Sequence, residues 1–165
     1  MTIKNIFKTS PLPRAETRDL LCYVLKKDPS FLLAHPEYKL TNPQANKLTK
    51  LLKLRKLRPK ADPPLAEKSS GYPLAYLLQS QPFGGLSFFV DERVLIPRPE
   101  TELLVDECIK KITDYRLPIT GPLTVIDLGT GSGNIAINLA YHFRQVPHGL
   151  HIIATDVSTD ALAVA

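Results

Sequence analysis

The chain has 165 residues, enough for one ordinary domain or for a small domain joined to part of another. Its apolar content of 44% is that of a globular protein. No run approaches the roughly 18 to 20 uninterrupted apolar residues of a membrane span, and residues 1–12 lack an apolar stretch of signal-peptide length, so a cytoplasmic protein with no membrane association is expected. The net charge of +5 is uneven: residues 1–120 hold 20 basic and 13 acidic side chains, and residues 121–165 hold 1 and 3.

Taken in chain order, residues 16–26 place Leu20, Leu21, Val24 and Leu25 on one helical face, with Pro29 expected to end the helix. Phe31 begins a short second segment closed by Pro36. Asn42 before Pro43 reads as a cap followed by a first-turn proline, with Ala45, Leu48, Leu51 and Leu52 as the apolar stripe behind it. These helices should pack as a small bundle. Between Lys47 and Lys60, Lys47, Lys50, Lys53, Arg55, Lys56, Arg58 and Lys60 are met by no acid, which suits a solvated face or an acidic or nucleic-acid partner. Three prolines in residues 58–64 mark a linker. The two cysteines, Cys22 and Cys108, have no metal-type spacing and sit in apolar helical patterns, as buried free thiols do. No metal site is expected.

From Gly71 the texture changes. Phe88-Phe89-Val90 and Val94-Leu95-Ile96, joined by Asp91-Glu92-Arg93, read as a hairpin preceded by the paired glycines Gly84 and Gly85. Pro99 and the acids Glu100 and Glu102 then open a helix whose apolar pattern is Leu103, Leu104, Cys108, Ile109 and Ile112. Residues 124–128 form a short buried strand, residues 129–133 a tight loop, residues 134–142 a helix and residues 151–156 a second strand; Ser158 looks like the cap of another helix. Strand, helix, strand implies a parallel pair in an open α/β sheet.

The chemistry concentrates in this last section. Gly129, Gly131 and Gly133 allow backbone to approach a ligand at the carboxyl end of the first strand, with Thr130 and Ser132 between them. Asp156 closes the second strand 23 residues after Gly133, where a carboxylate can accept hydrogen bonds from ribose hydroxyls. A dinucleotide fingerprint wants glycine at the sixth position of the loop, but Asn134 stands there; the pattern is GxGxG and favours S-adenosyl-L-methionine over NAD. Asp127 suits either a role orienting the loop backbone or a purely structural one.

Gly71-Tyr-Pro-Leu-Ala-Tyr-Leu-Leu78, residues 83–90, Val94-Leu-Ile-Pro-Arg-Pro-Glu-Thr-Glu102, Asp127-Leu-Gly-Thr-Gly-Ser-Gly133 and Ala154-Thr-Asp-Val-Ser-Thr-Asp-Ala-Leu162 together resemble the peptide chain release factor glutamine methyltransferases, from about residue 14 onward. The resemblance implies an α plus α/β protein: an N-terminal helical substrate-recognition bundle (residues 1–70), a β-hairpin linker (71–98), and the first β-α-β of an incomplete Rossmann-like class I methyltransferase sheet (99–165). It implies methylation of the glutamine amide in the Gly-Gly-Gln motif of class 1 release factors, hence a role in translation termination. The cofactor would lie on Gly129, Thr130, Gly131, Ser132, Gly133 and Asp156, bordered by Arg98, Pro99, Glu100 and Thr101. Those last four also suit a helix cap and a surface ion pair.

Several features depart from the family. Gly84 stands where an aromatic is usual, Gln79 where a glycine is common, and residues 56–64 look like an insertion. The family's Asn-Pro-Pro-Tyr motif, which holds and aims the substrate amide, is absent, so no catalytic residue is assigned. The expectation is of a truncated product or fragment, catalytically incomplete, binding cofactor weakly or undetectably alone, with residues 121–165 marginal in isolation because a parallel sheet needs both faces covered. Two other readings stand beside methylation of a release factor: a non-catalytic module docking on an acidic or ribosome-associated partner, and a fragment of a nucleic-acid adenine methyltransferase. The segment Leu95-Ile-Pro-Arg-Pro-Glu-Thr-Glu102 and the helical front speak against the latter and against direct nucleic-acid binding.

Overall fold

A computed structural model describes residues 1–56, 71–114, 123–145 and 150–165. The expected linker and most of the apparent insertion lie outside the described residues. The chain divides into two compact units, Met1–Leu78 and Gln79–Ala165.

The first unit is the expected helical bundle. It comprises α1 (Ile3–Thr9), α2 (Arg14–Leu25), α3 (Pro29–Ala34), α4 (Asn42–Arg55) and α5 (Leu74–Leu78). Leu20 and Leu21 of α2 are wholly buried at its centre, with Ile3, Ile6, Leu32, Leu48, Leu51 and Leu77 around them. Each such side chain contributes about 1.5–3 kcal/mol of burial free energy.

The ends of these helices differ from the reading of the prolines. Helix α2 ends on Lys26 in the left-handed conformation, and Pro29 instead opens α3, where its missing N–H costs nothing and Asp28 caps Phe31 N at 2.8 Å. Helix α4 is capped by Thr41 rather than Asn42; the Thr41 N–H donates to Gln44 Oε1 at 2.9 Å. Cys22 and Cys108 are free but half-buried rather than buried, and partial burial, then the Asp19 charge, pushes the Cys22 thiol up.

The second unit begins with a hairpin, β1 (Gln81–Phe83) and β2 (Leu86–Phe88), paired antiparallel so that Phe83 faces Leu86. It turns on Gly84 and Gly85, at φ +55° and +76°, and not on residues 91–93. Two consecutive positive φ values make the tight turn whose twist matches the strands it joins. The segment at 91–93 does turn, with Val94 N donating to Asp91 O at 3.1 Å and Arg93 forked onto the Asp91 carboxylate. However, residues 94–96 form no strand, since Pro97 and Pro99 just beyond cannot donate to a ladder. Phe83 and Phe88 pack edge to face at 6.1 Å between ring centroids.

Helix α6 (Glu100–Asp114) follows, then β3 (Leu123–Leu128), α7 (Asn134–His142), β4 (Leu150–Thr155) and α8 (Thr159–Leu162). Strands β3 and β4 are parallel, with Val125 beside Ile152 and Ile126 beside Ile153. The chain thus has the expected fold: helical bundle, hairpin, and an incomplete Rossmann-like β-α-β. Helix α6 turns Val105, Cys108, Ile109 and Ile112 to the core, joining Phe83, Phe88, Leu139 and Phe143. Leu103 and Leu104, expected in that stripe, are 67% and 52% exposed. One face of the sheet, through Val125 and Ile152, packs on this core. On the other, Ile126, Leu128 and Ile153 are exposed.

Candidate functional site

The site is built where β3 and β4 end side by side. Both Gly129 N and Thr130 N donate to the carbonyl of Thr155, at 2.8 and 2.9 Å, so the loop after β3 is fastened to the tip of β4. The fastening is doubled by side chains: Thr155 Oγ1 donates to the Asp127 carbonyl at 3.2 Å, and Thr130 Oγ1 donates to Asp127 Oδ2 at 2.8 Å in a buried contact. The Asp127 side chain therefore fastens the loop through the Thr130 hydroxyl. The loop then turns back, Gly133 N donating to Thr130 O at 2.9 Å, and Gly133 O receives Ile137 N as α7 begins.

The glycines matter for two different reasons. At Gly129 and Gly131, with φ of +79° and +56°, a Cβ would meet no atom of the chain within 4 Å. These two face open space, and their positive φ values favour glycine. A Cβ on Gly133 would instead come within 3.0 Å of Ile137 Cδ1, so this glycine serves the packing of loop on helix.

Asp156 points at the loop. Its Oδ2 accepts from Gly131 N at 3.0 Å and its Oδ1 from Ser158 N at 2.9 Å. Those two backbone N–H groups, Ser158 first and Gly131 second, hold its carboxyl below the usual carboxylate range, so the group is ionised at neutral pH. A carboxylate has about four acceptor positions, and two N–H donors leave capacity for further donors. Ser158 caps α8 as expected, its Oγ accepting from Ala161 N at 3.2 Å.

Ser132 is buried beside Asn134, and Asn138 one turn on is buried as well, its Nδ2 donating to Asn134 O at 2.8 Å. Asn138 went unnoticed in the sequence, yet it explains Gly84: a Cβ there would lie 2.4 Å from Asn138 Oδ1. The amide on α7 occupies the space that an aromatic at the hairpin turn would need. The remaining candidates lie at the start of α6. Arg98, Pro99 and Glu100 are exposed where α6 begins, Thr101 N donates to Arg98 O at 3.0 Å, and among the described residues no hydrogen bond or ion pair joins residues 98–101 to the glycine loop. Among the described residues no group of three His, Cys, Asp or Glu could hold a metal, and no helix is long and apolar enough to cross a membrane.

Residues 2–58 match the family model of the PrmC N-terminal domain. Over nearly its whole length the chain is similar to proteins named release factor glutamine methyltransferase: 35% identical to that of Buchnera aphidicola subsp. Acyrthosiphon pisum over 98% of this chain and 51% of the relative. The Coxiella burnetii protein of the same name is 39% identical over 98% of this chain and 50% of the relative. Along nearly its whole length the chain is thus similar to the release factor glutamine methyltransferases. Similarity rises in one stretch, to 46% identity with the Chlorobaculum tepidum family member over 60% of this chain and 32% of the relative. The chain spans about half the length of the curated relatives it matches along its whole length.

Proposed function

We propose that this chain carries the S-adenosyl-L-methionine-binding front half of an enzyme that methylates the glutamine side-chain amide in the Gly-Gly-Gln motif of class 1 release factors. The supporting observation is the latch of Gly131 N on Asp156 Oδ2, which puts open, side-chain-free backbone and an ionised acceptor on one crevice at the ends of two parallel strands. Ligands of open α/β sheets bind in such crevices. Gly129 and Gly131 supply backbone against which a nucleoside can lie, and Asp156 offers its remaining lone pairs to ribose hydroxyls. Asp127 and Thr130 hold the loop so that this surface is formed before a ligand arrives. Arg98, Pro99, Glu100 and Thr101 border the site in this reading. The cofactor itself supplies an electrophilic methyl group on a sulfonium centre. No residue of this chain is assigned to aiming the substrate amide, and a cytoplasmic setting follows from the substrate class.

The reading is tested by joining residues 1–165 of this chain to the remaining half of the Coxiella burnetii relative and following a release factor by mass spectrometry. One added methyl on the Gly-Gly-Gln glutamine is expected, reduced at least about a hundredfold by Gly131→Val, whose side chain would fill the approach to the loop. A hybrid that folds and yet transfers no methyl, or one indifferent to Gly131→Val, contradicts it.

A further inference from the structure

Charge divides sharply between the two units. Met1–Leu78 holds 15 Lys and Arg against 6 Asp and Glu, a formal +9, whereas Gln79–Ala165 holds 6 against 10, a formal −4. The exposed Lys47, Lys50 and Lys53 of α4 and Lys56 at its C-cap form a cationic surface, which attracts any polyanion without discriminating among them. A second surface is more selective. Helices α1, α2 and α3 enclose a groove of about 400 Å³ lined by Phe7, Arg14, Arg18, Pro29, Leu32 and Leu33.

Its floor is aliphatic and its rim cationic. Leu33 is 77% exposed beside Leu32, the buried residue of α3. Arg14 and Arg18 stand one turn apart on α2. Arg14 has no carboxylate partner among the described residues and lies 5.4 Å over the Phe7 ring, while Arg18 pairs with the neighbouring Asp19 at the surface. The nearby Asp28 is committed to capping α3.

We propose that this groove receives an acidic segment of the protein substrate, an apolar side chain seated on Leu32, Leu33 and Pro29 and flanking carboxylates on Arg14 and Arg18. The identity of the carrier, a class 1 release factor, rests on the function proposed above. A peptide suits the groove better than a nucleic acid: the one aromatic face, Phe7, is covered by Arg14, so no ring is open for a base to stack on. Arginine forks match carboxylates, and a buried apolar anchor supplies the affinity that charge alone does not. The lysines of α4 then act at longer range, speeding encounter.

The test immobilises a class 1 release factor and measures its affinity for the 165-residue chain at moderate salt. Leu33→Asp and the pair Arg14→Glu with Arg18→Glu are each expected to weaken binding at least about tenfold. An equal charge reversal on α4, Lys50→Glu with Lys53→Glu, is expected to weaken it by less than about threefold, more at low salt. All these side chains are exposed, and thermal melts followed by circular dichroism verify folding; should Leu33→Asp melt early, Leu33→Ser replaces it. Equal losses from the α2 and α4 reversals, indifference to Leu33, absence of wild-type binding, or tighter binding of single-stranded RNA would each overturn the proposal. Failure of methyl transfer by the hybrid with groove binding intact would sink the function reading alone. Methyl transfer that persists while groove variants bind normally would sink the groove alone.

Discussion

Gln79 pays for its place in the chain. It follows α5 directly and sits at φ +52°, the left-handed region in which a side chain costs about 1 kcal/mol and glycine almost nothing. Gln79→Gly is therefore expected to raise the stability of the chain by about 0.5–1 kcal/mol in urea unfolding, the strain relieved outweighing the added freedom of the unfolded chain. At the same scale, the glycine loop and Asp156 were legible in the sequence because their chemistry is local: positive φ demands glycine, and a carboxylate at a strand end meets what lies beside it. Asn138 was not legible. Its burial depends on the Gly84 backbone approaching α7 from a distant part of the chain, which no spacing announces.

Between elements, one side chain ties much of the helical unit together. Arg55 of α4 is only 9% exposed; its Nε and Nη2 fork onto Glu16 of α2 at 2.9 and 3.1 Å, and its Nη1 donates to the Tyr72 carbonyl ahead of α5 at 3.1 Å. A lysine there provides one point charge in place of a planar fork. Arg55→Met is expected to cost about 2–3 kcal/mol in thermal or urea unfolding, since Glu16 loses its partner in a largely shielded position, and Arg55→Lys should recover less than half of that. Losses below about 0.5 kcal/mol would show that the fork is incidental. Arg55 reads in the sequence as one more cation of a basic run, and only the packing of α2 on α4 separates it from its solvated neighbours. The same limit explains α6: Leu103, Leu104 and Val105 offer two overlapping stripes, and what lies opposite selects Val105. Helix α1 also escaped notice, although Thr2 accepts from Asn5 N at 3.3 Å as its cap and Ile3 and Ile6 are buried at helical spacing.

Across the whole molecule, the two units divide the labour proposed here. The strongly basic helical unit carries the surfaces suited to a protein partner, and the α/β unit carries the crevice suited to a nucleoside. The parallel pair and its crossover helix were readable because the strand, loop, helix, strand order admits few topologies. The hairpin register was not, because Gly84-Gly85 and Asp91-Glu92-Arg93 are both plausible turns until the strands have partners. With Ile126, Leu128 and Ile153 at 58%, 80% and 41% exposure, the sheet offers the proposed cofactor crevice support from one packed face. Affinity for a nucleoside ligand should accordingly be weak, on the order of a millimolar.

The most direct measurement is a titration of S-adenosylhomocysteine into the isotopically labelled chain, read as amide shifts by nuclear magnetic resonance. The predicted result is a saturable set of shifts confined to Gly129, Gly131, Gly133 and the backbone around Asp156, abolished by Gly131→Val. Shifts scattered over the helical unit, or a loop that stays silent at ligand concentrations well above a millimolar, would contradict the crevice as the seat of the cofactor.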